Sequence, residues 1–198
     1  MSAEIGTGRS VAPDLQVEDP VRMEPLVTAA EALAVFQRKL PDSVAEARAV
    51  HHPFWWAALD VRTRGLFRRS SAGAGQRMDV LVNAVSGRGM IADFTPRGAS
   101  AEPEEWSSLI GEQAGPLPSR GEAERTARSL ARAKVVKTVK LGMGIEITLA
   151  AGLRGVLKPN WIVTGGNAKH SATILVDGLD GSHYIVRVDK AGRRREIG

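Results

Sequence analysis

Apolar residues recur at Ala29, Leu33, Phe36 and Leu40, spaced four, three and four apart. That period lines one face of a helix. Thr28 precedes the run and Glu31 follows it by three positions, a capping box in which hydroxyl and carboxylate satisfy opposite orphan amides. Pro41 ends the helix, because a proline ring cannot continue it. Residues 44–50 form a weak strand candidate, and the aromatic, apolar stretch 54–61 a stronger one. Residues 62–76, rich in Arg, Ser and Gly, read as a long hairpin loop. The segment 78–85 then alternates, with Met78, Val80, Val82 and Ala84 on one side and Asp79, Leu81, Asn83 and Val85 on the other. A turn at 86–89 returns the chain through 90–94.

The second half repeats this grammar. Ser119 and Glu122 make another capping box, followed by an apolar face of Ala123, Ala127, Leu130 and Ala131. Arg125, Arg128 and Arg132 fall on the opposite face of a helix reaching about residue 139. Strands are expected at 145–149 and 156–163, a turn at 164–167, and a closing pair at 172–179 and 184–188 around Asp180-Gly181. Pro53-Phe54-Trp55 answers Pro159-Asn160-Trp161, Asn83 answers Asp177, Gly87 answers Gly181, and Ile91 answers Ile185. Asx residues bond their own backbone near strand ends, and glycine accepts positive φ in a tight turn. These landmarks predict an α+β fold of two repeated units, each a helix plus an antiparallel meander, packed into one body. The expected divisions are a mobile N-terminal arm (1–26), a first unit (27–94), a Pro/Gly-rich linker (95–118), a second unit (119–189) and a basic tail (190–198). Within the linker, Trp106 and Leu109-Ile110 are expected to anchor a short turn by packing.

A capped helix followed by a meander closing on "V-D-A-x-T-G-x-V" resembles the PepSY domain. Val82-Asn83-Ala84-Val85-Ser86-Gly87 and Val176-Asp177-Gly178-Leu179-Asp180-Gly181 carry the likeness. It spans residues 28–94 and, less closely, 119–188. The resemblance implies tandem PepSY-like units that bind or restrain a peptidase, with no shared catalytic residues. PepSY domains usually occur in exported or membrane-anchored proteins, and this chain shows no export signal.

Composition narrows the chemistry. An apolar share of 43% with 25% charged residues is that of a globular chain. Cysteine is absent, which excludes disulfides, thiolate chemistry and cysteine-based zinc sites. No apolar run approaches the roughly 18 residues that cross a bilayer, and 145–157 is broken by Glu146 and Arg154. A cytoplasmic protein without a membrane span is expected. The net charge of +5 is a modest excess that favours encounter with anionic surfaces.

Individual residues give little catalytic signal. His51 and His52 are adjacent, so on a strand they point to opposite faces, and His170 and His183 lie far along the chain. Ser86 falls in a turn and lacks a nucleophile-elbow context. Asp177 and Asp180 are explained by a strand end and a turn. The glycines at 142, 144, 152 and 155 lack the Gly-Lys-Ser/Thr ending of a phosphate loop. No catalytic residue, metal ligand or cofactor is assigned, and the chain is read as a non-enzyme. The binding candidates are Trp56, Arg62, Arg64, Arg68, Arg69 and Arg77, because arginines interleaved with an aromatic hold phosphates and stack bases. The leading expectation is a protein-binding, regulatory or assembly module, partnered by another protein or a second copy through exposed edge strands. The alternatives are an anionic-ligand or nucleic-acid binder using the arginines, and the peptidase-restraining module that the PepSY resemblance implies.

Overall fold

The structure, a computed structural model, describes residues 12–65, 75–113, 115–138 and 142–190. After a 3-10 turn at Pro13–Leu15 come β1 (Val21–Arg22), α1 (Ala29–Lys39), β2 (Val44–Gly65), β3 (Gln76–Asn83) and β4 (Gly89–Ala92). Then follow β5 (Ala99–Ser100), α2 (Pro103–Gly111), α3 (Arg120–Thr138), β6 (Gly142–Leu149), β7 (Arg154–Gly166), β8 (His170–Asp177) and β9 (His183–Lys190). Contacts divide the chain into two compact units, each discontinuous in sequence. The first holds Met1–Arg22 and Pro53–Leu157, and the second Met23–His52 and Lys158–Gly198.

The expected fold of two helix-plus-meander repeats is corrected: the protein is mainly antiparallel sheet, with three helices among the described residues. Neither capped helix is confined to the meander that follows it in sequence. α1 packs on β8, whereas α3 packs on β3, β4 and β6. The cause lies in β2. The two strand segments expected at 44–50 and 54–61 are one continuous strand that runs on to Gly65. Its first nine residues belong to the second unit and the rest, from Pro53, to the first. Pro53 sits at the hand-over. It lacks an N–H but its carbonyl still accepts from the Ala84 amide at 2.9 Å. The loop expected over 62–76 is correspondingly shorter, since β2 pairs with β6 through Gly65 and β3 begins at Gln76.

In the first unit, β2 is flanked by β3 and β6, and β4 continues the antiparallel order beyond β3. Trp55, Ala57, Leu59 and Val61 of β2 and Met78, Val80 and Val82 of β3 share one face. α3 covers it with Ala123, Ala127, Ala131 and Val135, a stripe of fourth residues that brings helix and sheet close. The Ser119–Glu122 capping box starts this helix, Glu122 accepting the Ser119 amide at 2.8 Å. The stretch expected as linker contains β5 and α2. Pro103 opens α2 in its first turn, where a missing amide is harmless. Trp106 and Ile110 are buried in the same core, with the Trp106 and Trp55 rings edge to face at 4.9 Å. The described part of the expected arm is also packed: Leu15 is buried and accepts the Trp106 indole N–H at 2.8 Å, and β1 pairs with β5 and β7.

In the second unit, β7 lies between β2 and β8, and β9 follows β8. Ala32, Val35 and Phe36 of α1 form a core with Val163, Ile174 and Val176. The Thr28–Glu31 capping box is present, with both reciprocal bonds. The second hairpin reproduces the first in register and bonding. Asn160 faces Asp177 as Phe54 faces Asn83. Gly181 and Gly87 have φ +72° and +69°, and their amides donate to the Asp177 and Asn83 carbonyls. The Gly178 amide donates to Pro159 as that of Ala84 does to Pro53. The hairpin landmarks therefore repeat, although the covering helices are exchanged.

Candidate interaction surface

Three of the expected binding residues share one sheet face in the first unit. Trp56 and Arg62 alternate along β2, and Arg77 lies opposite Asp60 on that same face. Trp56 is only 8% exposed, and its indole N–H donates to Asp79 Oδ1 at 2.8 Å. Asp79, itself buried, also accepts the Thr95 hydroxyl at 2.9 Å and pairs with Arg77 at 3.4 Å. The Arg77 and Arg154 guanidinium carbons lie 5.9 and 5.6 Å from the indole centroid. Sequence reasoning missed Asp79, Thr95 and Arg154. Asp79 was legible only as an acidic residue at a strand's second face. Arg64 lies in β2 beyond the described side chains, and Arg68 and Arg69 lie outside the described residues. The arrangement is a closed aromatic–ionic cluster. Base stacking needs an open ring face, and this ring is already enclosed. A nearby polar cleft of about 600 Å³ places Glu18 and Asp19 with Arg120 and Arg154, so its charges balance.

The second unit holds a buried polar chain. Lys158 is 2% exposed and pairs with Asp177 Oδ2 at 2.5 Å. It also donates to Asn160 Oδ1 at 3.3 Å, and Asn160 Nδ2 lies 2.8 Å from His52 Nδ1. Burial, then the Lys158 charge and then His51, hold His52 below the usual imidazole range. Burial works to raise Asp180, but hydrogen bonds from Ser182 and the Lys158 charge outweigh it and leave its carboxyl low. Asp177 Oδ1 meanwhile accepts the Leu179 amide at 2.9 Å, closing the turn. Every member thus has a structural partner. Ser86 sits in the first hairpin, its amide donating to Asn83 Oδ1. Among the described residues, no three His, Asp or Glu side chains gather at a metal-binding position. His170 and His183 stand at opposite ends of the β8–β9 hairpin.

β9 is an open surface of the second unit. Tyr184, Ile185, Val186 and Val188 are 60%, 60%, 55% and 54% exposed, and among the described residues β9 hydrogen-bonds only to β8. Ile185 and Val188 lie opposite Ile174 and Ala172, on the sheet face that α1 covers over β7 and β8. No β9 side chain joins that core. The strand side chains of that core come from β2, β7 and β8. On the other face, Tyr184, Arg187 and Asp189 lie opposite Leu175, Thr173 and Ser171. The β8–β9 register shifts between Thr173 and Ile174, leaving Val186 as the extra residue of a bulge.

Among the described residues, no helix is long and apolar enough to cross a membrane. Comparison with protein-family models, with curated proteins and with solved structures finds no match for this chain.

Proposed function

We propose that this chain is a non-enzymatic protein-binding module that engages an extended segment of its partner along β9. The observation that carries this reading is a strand with four largely exposed apolar side chains and, among the described residues, one unpaired edge. Unpaired edge amides and carbonyls call for another strand, and alternating apolar side chains call for cover. The arginine-based alternative has less support, because Trp56 is buried and Arg77 is already engaged by Asp79.

The test compares full-length wild type with the Val186→Lys/Val188→Lys double variant. Each is cross-linked in nuclease-treated host lysate and in lysate left untreated. Both positions are exposed, so the variant is expected to melt within a few degrees of wild type. The expected result is a protein adduct that survives nuclease and is lost in the variant. An adduct equally abundant with the variant, or recovery of nucleic acid alone, overturns the proposal.

A further inference from the structure

We infer that the segment pairing with β9 is β9 of a second copy, antiparallel about a two-fold axis at Val188. The inference rests on the protein-binding reading above and names its partner. After the bulge at Val186, residues 187–190 alternate regularly, with Arg187 and Asp189 on one face and Val188 and Lys190 on the other. Centring the two-fold on Val188 places Arg187 opposite Asp189 of the other copy, twice. The resulting charges alternate along one face, because Arg187 and Asp189 already pair within each chain at 2.5 Å. Val188 meets its own copy on the opposite face, and Val186 of each copy lies opposite Lys190 of the other.

The neighbouring registers fail on chemistry visible in the strand. Centring on Arg187 sets two guanidinium groups against each other. Centring on Val186 sets Tyr184 against Val188, which the bulge has turned to opposite faces. Directly opposite like charges are destabilising and opposite charges favourable, so the strand itself selects the Val188 register. An isologous pairing of this kind also uses both open edges at once and stops at two copies, whereas a one-sided contact would propagate.

The chain has no cysteine, so a single introduced thiol reports the register. In full-length Val188→Cys, the two thiols face each other across the axis. In Tyr184→Cys they stand eight residues apart along the paired strands, roughly 26 Å. The expected result is rapid oxidative dimer formation by V188C, none by Y184C, and a dimer of the wild type in sedimentation at high micromolar concentration. Arg187→Asp is expected to weaken dimerisation about tenfold, since it replaces two attractive pairs by two repulsive ones. Adding Asp189→Arg restores it. A monomeric wild type, cross-linking by Y184C in place of V188C, or a charge swap without rescue overturns the self-pairing. The lysate adduct and its loss in V186K/V188K decide separately whether β9 binds another protein, so the two readings fail distinguishably.

Discussion

Replacing Asp177 by Asn removes one charge and leaves the local turn chemistry intact. The first hairpin demonstrates this, since Asn83 Oδ1 accepts the Val85 and Ser86 amides at 2.9 and 2.8 Å, where Asp177 Oδ1 accepts that of Leu179. The two hairpins differ in what stands behind the turn. Behind the second is Lys158, 2% exposed, with its ammonium 2.5 Å from Asp177 Oδ2. Taking one partner from a buried ion pair costs about 3–5 kcal/mol, because the other charge stays out of water without compensation. The Asp177 side chain keeps 19% exposure, and Asn160 still accepts from Lys158, so the lower end, about 3 kcal/mol, applies.

Denaturant unfolding followed by tryptophan fluorescence measures this cost, with Trp161 reporting on the second unit. Asn83→Asp, the reverse exchange in the half-exposed first turn, is expected within about 0.5 kcal/mol of wild type. Lys158→Met in the D177N background removes the buried cation and is expected to recover most of the loss, since well-packed apolar residues replace buried pairs at little cost. A D177N variant within 0.5 kcal/mol of wild type (roughly the spread of neutral surface changes) would refute the claim that this carboxylate neutralises a buried charge. So would a K158M/D177N variant no more stable than D177N, because the loss would then belong to the turn.

Acid should weaken the second unit through His52. Its folded-state pKa lies below the unfolded value of about 6.5, so the unfolded chain binds the proton first. That contribution is full above about pH 6.5 and is lost as pH falls. Denaturant midpoints at pH 7.5 and 5.5 should fall for wild type and fall less for His52→Gln, and equal slopes would contradict this. Gly165→Ala should cost about 3 kcal/mol or more, because the new Cβ would stand 2.4 Å from the Val44 carbonyl and 2.5 Å from Ala45 Cβ. A thermal melt near wild type would show that β2 and β7 are less tightly apposed than described. Trp106→Phe strands the Leu15 carbonyl and should cost about 1–3 kcal/mol. Hydrogen exchange should rise at Leu15, whose amide closes the 3-10 turn, and unchanged protection there would disprove the tether.

Local chemistry made much of this architecture legible. Both capping boxes and both Asx hairpins depend on a side chain meeting backbone within three residues, a range that a single sequence displays. The pairing of helices with meanders was not legible, because it depends on whether the chain bends at Pro53. Proline in a strand pattern ordinarily argues for a break, and here it marks a point inside one long strand. The same prejudice hid α2. Pro103 among other prolines suggests a linker, although a proline followed by Glu104, Glu105, Trp106 and Ile110 also describes the first turn and apolar stripe of a helix. Among the expected site residues, Trp56 and Arg77 do meet. Their meeting is organised by Asp79, whose role required knowing that β3 returns beside β2.

The surface that now carries the functional proposal illustrates a different limit. Tyr184, Ile185, Val186 and Val188 give the pattern of a strand at home in a core, and nothing in their identity separates cover from the same chain and cover from another. What distinguishes them is a count of covering elements. The core under α1 takes its strand side chains from β2, β7 and β8, and none from β9. The fourth strand of that unit keeps core-like side chains that none of the described helices faces. Residues that served only to finish the hairpin could be polar on both faces at no loss of pairing. The proposed pairing along β9 draws on this apolar character, since the described elements of the unit leave these side chains open.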